Sequence, residues 1–288
     1  MASQTDRHAS STGQALTGGA WLDVHFAAAR PEYEVQLRAV GIQPGWRVLD
    51  AACGSGSFLP WLAELVGPTG SLAALDLAPE NVALVERLAE WALPCAVEAQ
   101  LGNVLALPYP DDAFDAVWFA NTSQYLTDAE LATALAEFRR VVRPGGLVAV
   151  KETDPTAYRV EPAQPGLILR YSQAAAKAGN VQVIGTLRAP ALPRWLRVSG
   201  LTDVWRRSTL IERVAPHSPV VNAWLGGLFT YCGTLAANLE LPPDDREFWG
   251  RMRDSAARER FLSDPECWFI EMNVLTVGMV PSGTEASA

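Results

Sequence analysis

Lysine is almost missing from this 288-residue chain: only Lys151 and Lys177 occur, so arginine supplies nearly all of the 23 basic side chains set against 32 acidic ones, for a net charge of -9. Basic residues never gather beyond pairs such as Arg139-Arg140 and Arg206-Arg207. Nucleic-acid binders need a basic footprint to displace the counterions of the phosphate backbone, so nucleic acid is not an expected partner, and a small neutral or cationic molecule is. Cysteine and histidine are scarce too. Cys53, Cys95, Cys232 and Cys267 lie far apart and fall into no CxxC or Cys/His spacing that could cage zinc, so no metal is expected, and a reducing cytoplasm suits four such thiols. No apolar run approaches the roughly 18 residues that a membrane span requires. The first residues, Met1 to Gly19, are polar and rich in Ser, Thr and Gly, unlike a signal peptide or an anchor. These absences predict a cytoplasmic protein that does not engage a membrane. What is present is apolar residue, 49% of the chain with only 19% charged, enough to bury a full core in one large domain or a domain with an appended subdomain.

The apolar pattern alternates between short β-type runs and helical spacing. Trp46 to Asp50 reads as a strand, Ala51 to Gly56 as a glycine turn, and Phe58 to Val66 as a helix ended by Gly67-Pro68. The unit repeats with a strand at Ser71 to Leu77 and a helix from Ala78-Pro79 to about Trp91. Further strands are expected at Ala96 to Leu101, Phe114 to Ala120 and Leu147 to Lys151, with a helix from Asp128 to Val142 and a turn at Arg143 to Gly146. Alternation of this kind predicts an α/β fold, a Rossmann-like, seven-stranded, mostly parallel sheet with helices on both faces. Beyond Glu152 the order is less regular. Thr153 to Gly166 holds three prolines and reads as loop, Leu167 to Ala178 and Pro190 to Gly200 as helices, and Val204 to Val214 and Cys267 to Val280 as strands. Between those last strands, about 217 to 263, aromatic residues on helical spacing predict a helical cap over one end of the sheet. The chain is thus divided into a flexible tail at 1–18, a binding core with an N-terminal lid helix at 19–155, the rest of the sheet with its cap at 156–280, and a second tail at 281–288.

The segment Val48-Leu49-Asp50-Ala51-Ala52-Cys53-Gly54-Ser55-Gly56 stands at the carboxyl end of the first strand, where open α/β sheets bind ligands. Asp76, twenty residues beyond Gly56 at the end of the second strand, is placed to accept hydrogen bonds from both hydroxyls of a ribose. The GxGxxG pattern of pyrophosphate binding is missing, and there is no GKS or GKT phosphate loop. The ligand expected here carries a nucleoside and is not held by phosphates.

Four blocks in order, VLDAACGSG (48–56), ALDLAPENV (74–82), GNVLALPYPDDAFDAVWFAN (102–121) and VVRPGGLVAV (141–150), resemble the class I S-adenosylmethionine-dependent methyltransferases, in particular the ubiquinone/menaquinone-type, small-molecule branch. The resemblance covers roughly the first half of the chain. It implies S-adenosyl-L-methionine as cofactor, S-adenosyl-L-homocysteine as its product, and no metal. It further implies that Asp50 and the turn through Ala51, Ala52 and Gly54 hold the methionine portion, that Asp76 binds the ribose, and that Leu77 lines the adenine. Where the family has Gly-Asp this chain has Gly102-Asn103, followed by Val104; the amide can accept the adenine amine through its oxygen without the charge. Ala52 replaces the first glycine of the family motif and narrows the turn. Asn121 to Tyr125 follow the fourth strand, where the family faces both methionine and acceptor.

A sulfonium methyl is already activated, so positioning supplies most of the acceleration, and the site needs a dry pocket and at most one base. Tyr33, Glu34, Glu152 and His217 are the candidates for catalysis. Glu152 directly follows the fifth strand on the same rim, and would otherwise be a solvated charge; His217, between Pro216 and Pro219, would otherwise be surface loop. Trp21, His25, Tyr125 and Trp224 are the candidates for acceptor binding, with packing as the alternative for the aromatics. The expected activity is methyl transfer to a small aromatic or hydrophobic metabolite of secondary metabolism, and the lack of a well-placed histidine leans it toward carbon or nitrogen of an electron-rich ring such as indole. Small-molecule O-methylation stays open, as does a cofactor-binding cyclase or scaffold without transfer; a protein or RNA substrate is disfavoured by the acidity and by the absence of an Asn-Pro-Pro-Tyr motif at Asn121. Monomer and homodimer are both open.

Overall fold

A computed structural model describes residues 19–89 and 93–282, with side chains from 24 onward. Helix α1 (Gly19–Ala39) precedes five parallel strands: β1 (Arg47–Ala51), β2 (Ser71–Asp76), β3 (Ala96–Leu101), β4 (Phe114–Ala120) and β5 (Val142–Thr153). Helices α2 (Leu59–Val66), α3 (Pro79–Ala89) and α4 (Asp128–Val141) connect them. The strands lie in the order β3-β2-β1-β4-β5, and the chain's last strand, β8 (Trp268–Met279), runs antiparallel beside β5. Strand β7 (Thr202–Val214) pairs along the outer edge of β8, which makes it parallel to β5. A short β6 (Arg159–Glu161) pairs with Trp268 to Ile270 of β8. The expected sheet is observed, with β6 as an addition.

Strands β1, β2 and β4 are buried almost throughout, as parallel strands covered on both faces must be. One face packs against α1, α2 and the cap, through Leu37, Leu59, Leu62 and Trp118. The other packs against α4 and α7 (Leu192–Val198), through Val117, Phe119, Phe138 and Leu196. Alternation along a strand assigns sides: on β5, Ala149 and Lys151 point to the α1 face, while Val148, Val150 and Glu152 point to the other. The turn into α4 carries a reciprocal capping box between Thr127 and Glu130.

The cap follows from topology. Because β7 is parallel to β5, its end at Val214 reaches the same rim as the carboxyl ends of β1, β4 and β5, and the chain must come back along β8. The excursion between them, α8 (Pro219–Ala236), α9 (Pro243–Met252) and α10 (Ser255–Leu262), therefore lands over that rim, in agreement with the sequence. Among the described residues no helix is long and apolar enough to cross a membrane.

Three expectations need correction. Strand β5 starts at Val142 and includes Pro144-Gly145-Gly146, because Gly145 donates its N–H to the Val280 carbonyl and Gly146 accepts from Val280. The stretch 153–166 is not all loop: it forms a single 3-10 turn at Pro155–Ala157 and then β6. Helix α6 (Val181–Leu187), beyond α5 (Leu167–Lys177), has no counterpart in the sequence reading. It packs on the loop after β4 so closely that a Cβ on Gly185 would stand 2.5 Å from Gln124 Cα. The tail assigned to 1–18, and all but the first two residues of the tail assigned to 281–288, lie outside the described residues.

Candidate active site

The first half of the site is built by backbone. At the end of β1 the chain turns through Ala52 and Gly54, both in the left-handed region at φ 59° and 55°. The turn is tied to β2 by Cys53 N–H donating to the Leu75 carbonyl (3.0 Å) and Gly54 N–H donating to Asp76 Oδ2 (2.8 Å). Asp76 Oδ1 accepts from Ala78 N (2.9 Å) and Asn81 Nδ2 (3.1 Å), so the carboxylate is clamped between two strand-to-helix turns with its edge in the cavity. Asp50 is buried beside it. One of its oxygens, Oδ2, has no hydrogen-bond partner, and burial and then the neighbouring Asp76 push its pKa up to about 8. A buried carboxylate oxygen of this kind is completed by a cationic donor. Leu77 and Val104 form apolar lips, and at Gly102 a Cβ would stand 2.7 Å from Leu75. A cation site next to a diol site next to an apolar slot fits an amino-acid-bearing nucleoside such as S-adenosylmethionine.

The cavity, about 390 Å³, continues under the cap. There it is walled by aromatic side chains: Tyr33 of α1, Tyr158 after β5, Tyr171 of α5 and Trp224 of α8. Trp224 stacks on the His25 ring at 5.1 Å between centroids. Polar groups converge at this end. The Tyr33 hydroxyl is 3.2 Å from His25 Nε2, which is 3.3 Å from Glu271 Oε1 on β8. Glu271 also accepts from Asn273 Nδ2 (2.6 Å) and Thr153 Oγ1 (3.5 Å), and Thr153 in turn meets the Tyr158 hydroxyl. Behind this row Lys151, fully buried, donates to Asn121 Oδ1 (2.5 Å) and sits 3.6 Å from the Tyr33 ring centroid.

The electrostatics follow from burial. Burial drives the Tyr33 and Tyr158 hydroxyls well above the ordinary phenol range, and Glu271 adds to both. It pulls Lys151 below the ordinary lysine range against the opposing pull of Glu271 and Glu152. Burial works to raise Glu271 as well, but His25, Lys151 and Asn273 outweigh it and hold that carboxyl below its usual value. The mouth is bridged by Gln182 of α6, which donates to Gln124 Oε1 (3.0 Å) and accepts from Tyr231 of the cap (3.2 Å).

Most of the residues singled out in the sequence meet in this cavity. Asp50, Ala52, Gly54, Asp76, Leu77, Asn103, Val104 and Asn121 line one end, and His25, Tyr33, Tyr125 and Trp224 the other. The Asn103 oxygen is already the acceptor for Leu105 N–H (2.9 Å). Trp21 lies on α1, and its side chain is outside the described residues. Four expectations are corrected. Ala51 points away from the cavity into the opposite face of the sheet, as strand alternation after Asp50 requires. Glu34 lies on the outer face of α1, paired with Arg38 one turn on (2.8 Å). His217 lines a separate groove between α1, β7 and the start of α8. Glu152 is neither solvated nor in the cavity: it faces the other side of the sheet and accepts from Ser123 Oγ (2.8 Å), Gln124 N (3.0 Å) and Thr153 N (2.9 Å). It holds the loop after β4 in place. Glu271, Lys151, Tyr158 and Tyr171 were missed. For Glu271 a signal existed, a lone carboxylate within the mostly apolar run of β8, since unpaired acidic residues are rarely buried. Among the described residues no group of histidine, cysteine and acidic side chains is arranged to hold a metal ion.

Comparison with known proteins agrees with this geometry. Residues 48–146 match the family described as a methyltransferase domain. An uncharacterized 37.1 kDa protein of transposon Tn4556 from Streptomyces fradiae is 40% identical over 127 residues, 44% of this chain and 36% of that one. The demethylmenaquinone methyltransferase of Geobacillus kaustophilus is 33% identical over 123 residues, 42% of this chain and 52% of that one. The chain thus spans about half or less of the length of these relatives. In fold it is similar to the YcgJ protein of Bacillus subtilis, with a TM-score of 0.57 at 16% identity, covering 88% of this chain and 100% of that one.

Proposed function

We propose, for a chain whose residues 48–146 match a methyltransferase domain, an enzyme that binds S-adenosylmethionine and transfers its methyl group to a small, flat, largely apolar acceptor. The observation that carries this reading is the continuity of one cavity from Asp50 and Asp76 to the aromatic wall of Tyr33, Tyr158, Tyr171 and Trp224. The cofactor, when bound, supplies an electrophilic methyl group. Asp50 then takes the ammonium of its amino-acid tail, Asp76 the ribose hydroxyls, and Leu77 and Val104 the faces of the adenine. The aromatic wall orients a ring by stacking and keeps water out, which suits a displacement governed by positioning.

The leaning toward carbon or nitrogen rested on the absence of a placed histidine, and His25 in the cavity removes that ground. A small aromatic metabolite remains the acceptor class that the wall suits, and a demethylmenaquinone, named for several relatives, belongs among the acceptors to be tried. Calorimetric titration with S-adenosylmethionine and S-adenosylhomocysteine, followed by incubation with methyl-labelled cofactor and a metabolite extract, tests the reading. Micromolar binding and a labelled small-molecule product are expected. Binding with no labelled product in any extract would overturn the transfer step.

A further inference from the structure

Three ionisable side chains, two from α1 and one from β8, meet at the acceptor end of the cavity. The Tyr33 hydroxyl, His25 Nε2 and Glu271 Oε1 stand in a row with gaps of 3.2 and 3.3 Å. At one end Glu271 is held by Asn273 and Thr153, so it is turned toward the imidazole and has little capacity left for a ligand. Tyr33 and Asn121, the latter just past β4 beside the cofactor half, line the same cavity. The Lys151 ammonium lies on the face of the Tyr33 ring, where a cation favours negative charge on the phenol. Burying such groups is unfavourable unless they serve each other, and a phenylalanine and a leucine would fill the same space.

We propose that Tyr33, His25 and Glu271 form a proton relay that receives the proton of a hydroxyl group on the acceptor. The proposal rests on the methyltransferase reading above. The acceptor's O–H bond breaks, its proton goes to the Tyr33 oxygen, and the acceptor keeps the electron pair as an oxyanion. The proton that Tyr33 carried passes to His25 Nε2, in the tautomer whose own proton is on Nδ1, and the imidazolium so formed is paired with Glu271. One proton enters the row and one arrives at His25, so the count closes. Tyr33 is the catalytic residue in this scheme, and Glu271 and Lys151 are positioning residues. The charged and titratable groups whose charge reaches Tyr33 are Lys151 and, from the far side of the sheet, Glu152 of β5, Tyr158 after β5, Glu271 of β8, and His25 and Glu32 of α1, so any midpoint measured belongs to the cluster.

The probe is 4-nitrophenol, whose phenolate absorbs visible light and whose neutral form does not. It is added to the full chain with S-adenosylhomocysteine present, one pH unit below the midpoint of the free probe, where about a tenth is ionised in solution. The expected result is a bound probe more than half ionised. In Tyr33→Phe and His25→Asn the ionised share falls to the solution value, while affinity for S-adenosylhomocysteine stays within about threefold; in Glu271→Gln it is intermediate. Tyr33→Phe keeps the ring, and its melting temperature checks that the fold is retained. A probe bound neutral by the unaltered chain, one not bound at about 1 mM, or one equally ionised in Tyr33→Phe overturns the relay. If S-adenosylhomocysteine itself does not bind, the methyltransferase reading fails and the relay with it. If it binds and the probe stays neutral, the relay alone fails.

Discussion

The two ends of the cavity are made in different ways. The end holding Asp50 and Asp76 is assembled from two consecutive strand-to-helix turns, with backbone N–H groups fixing Asp76. The end holding His25, Tyr33 and Glu271 joins residues up to 246 positions apart, by side-chain contacts between α1, β8 and the cap. A locally built site survives change elsewhere in the chain, whereas a site built from distant segments depends on the packing that brings them together. Binding of the cofactor and binding of the acceptor should therefore be separable by mutation.

The largest effects test that separation. Asp76→Ala removes an acceptor for two ribose hydroxyls, each charge-assisted bond being worth about 1.5–3 kcal/mol, and is expected to weaken S-adenosylmethionine by two orders of magnitude or more in a calorimetric titration. Trp224→Ala empties a fully buried site in the cap, at a cost of about 3–5 kcal/mol. The melting temperature should fall by roughly 5–15 °C for a chain of this size, with cofactor affinity changed by less than about threefold. If Trp224→Ala abolished cofactor binding, the two ends would be one cooperative unit and the contrast would not hold.

Glu152 sharpens the contrast because it serves the border between the two ends. Glu152→Ala leaves the donors of Ser123, Gln124 and Thr153 buried without an acceptor, about 1–3 kcal/mol for each group left unpaired. Thermal unfolding should register a loss of about 3 kcal/mol or more. The pH dependence of methyl transfer in the surviving protein should keep its shape, and a profile that lost one limb would return Glu152 to the role of a base.

Asp50 makes the locally built end sensitive to pH. Its pKa, pushed up to about 8, compares with about 3.9 in an unfolded chain. Between those values the ligand-free folded protein holds a proton that the unfolded chain has released. The folded state therefore loses stability as pH rises through this window, by about 1.4 kcal/mol per unit from this group. A cationic ligand favours the carboxylate, so affinity for S-adenosylmethionine should climb by up to about tenfold per pH unit below 8 and level off above it. Asp50→Asn should flatten both dependences, and an unaltered slope of affinity in that variant would assign the titration to another group.

The same division explains how far the sequence could be read. The first five strands and the turn residues Asp50, Gly54 and Asp76 were legible because a glycine turn and a strand-terminal carboxylate are local signals. The cap over 217–263 was legible from aromatic spacing and from the two strands that bracket it. Glu152 was misread because its place on the rim after the fifth strand suggested a base facing the acceptor, whereas alternation along β5 sends Lys151 and Glu152 to opposite faces, each into a buried setting. The row from Tyr33 to Glu271 was only half legible, since no spacing links α1 to β8; the antiparallel register that sets Asn273 opposite Thr153 brings Glu271 to the rim. His217 drew attention as a histidine in the right half of the chain, and its groove shows that type without placement carries little weight.

The smallest expected effect concerns Ala52. It occupies the left-handed region at φ 59° where the family motif has glycine, a conformation that costs a non-glycine residue about 1 kcal/mol or more. Ala52→Gly removes that strain but adds freedom to the unfolded chain, so a net gain of about 0.5–1 kcal/mol is expected, or a rise of roughly 1–3 °C in melting temperature. Because Ala52 lines the cavity next to the Gly54 N–H that steers Asp76, the variant also reports on the fit of the turn. Unchanged affinity for S-adenosylmethionine would mean that the strained turn already has the bound shape. Weaker binding in the glycine variant would mean that the alanine stiffens the turn for its ligand, with stability given up for preorganisation at the one end of the cavity that local sequence builds.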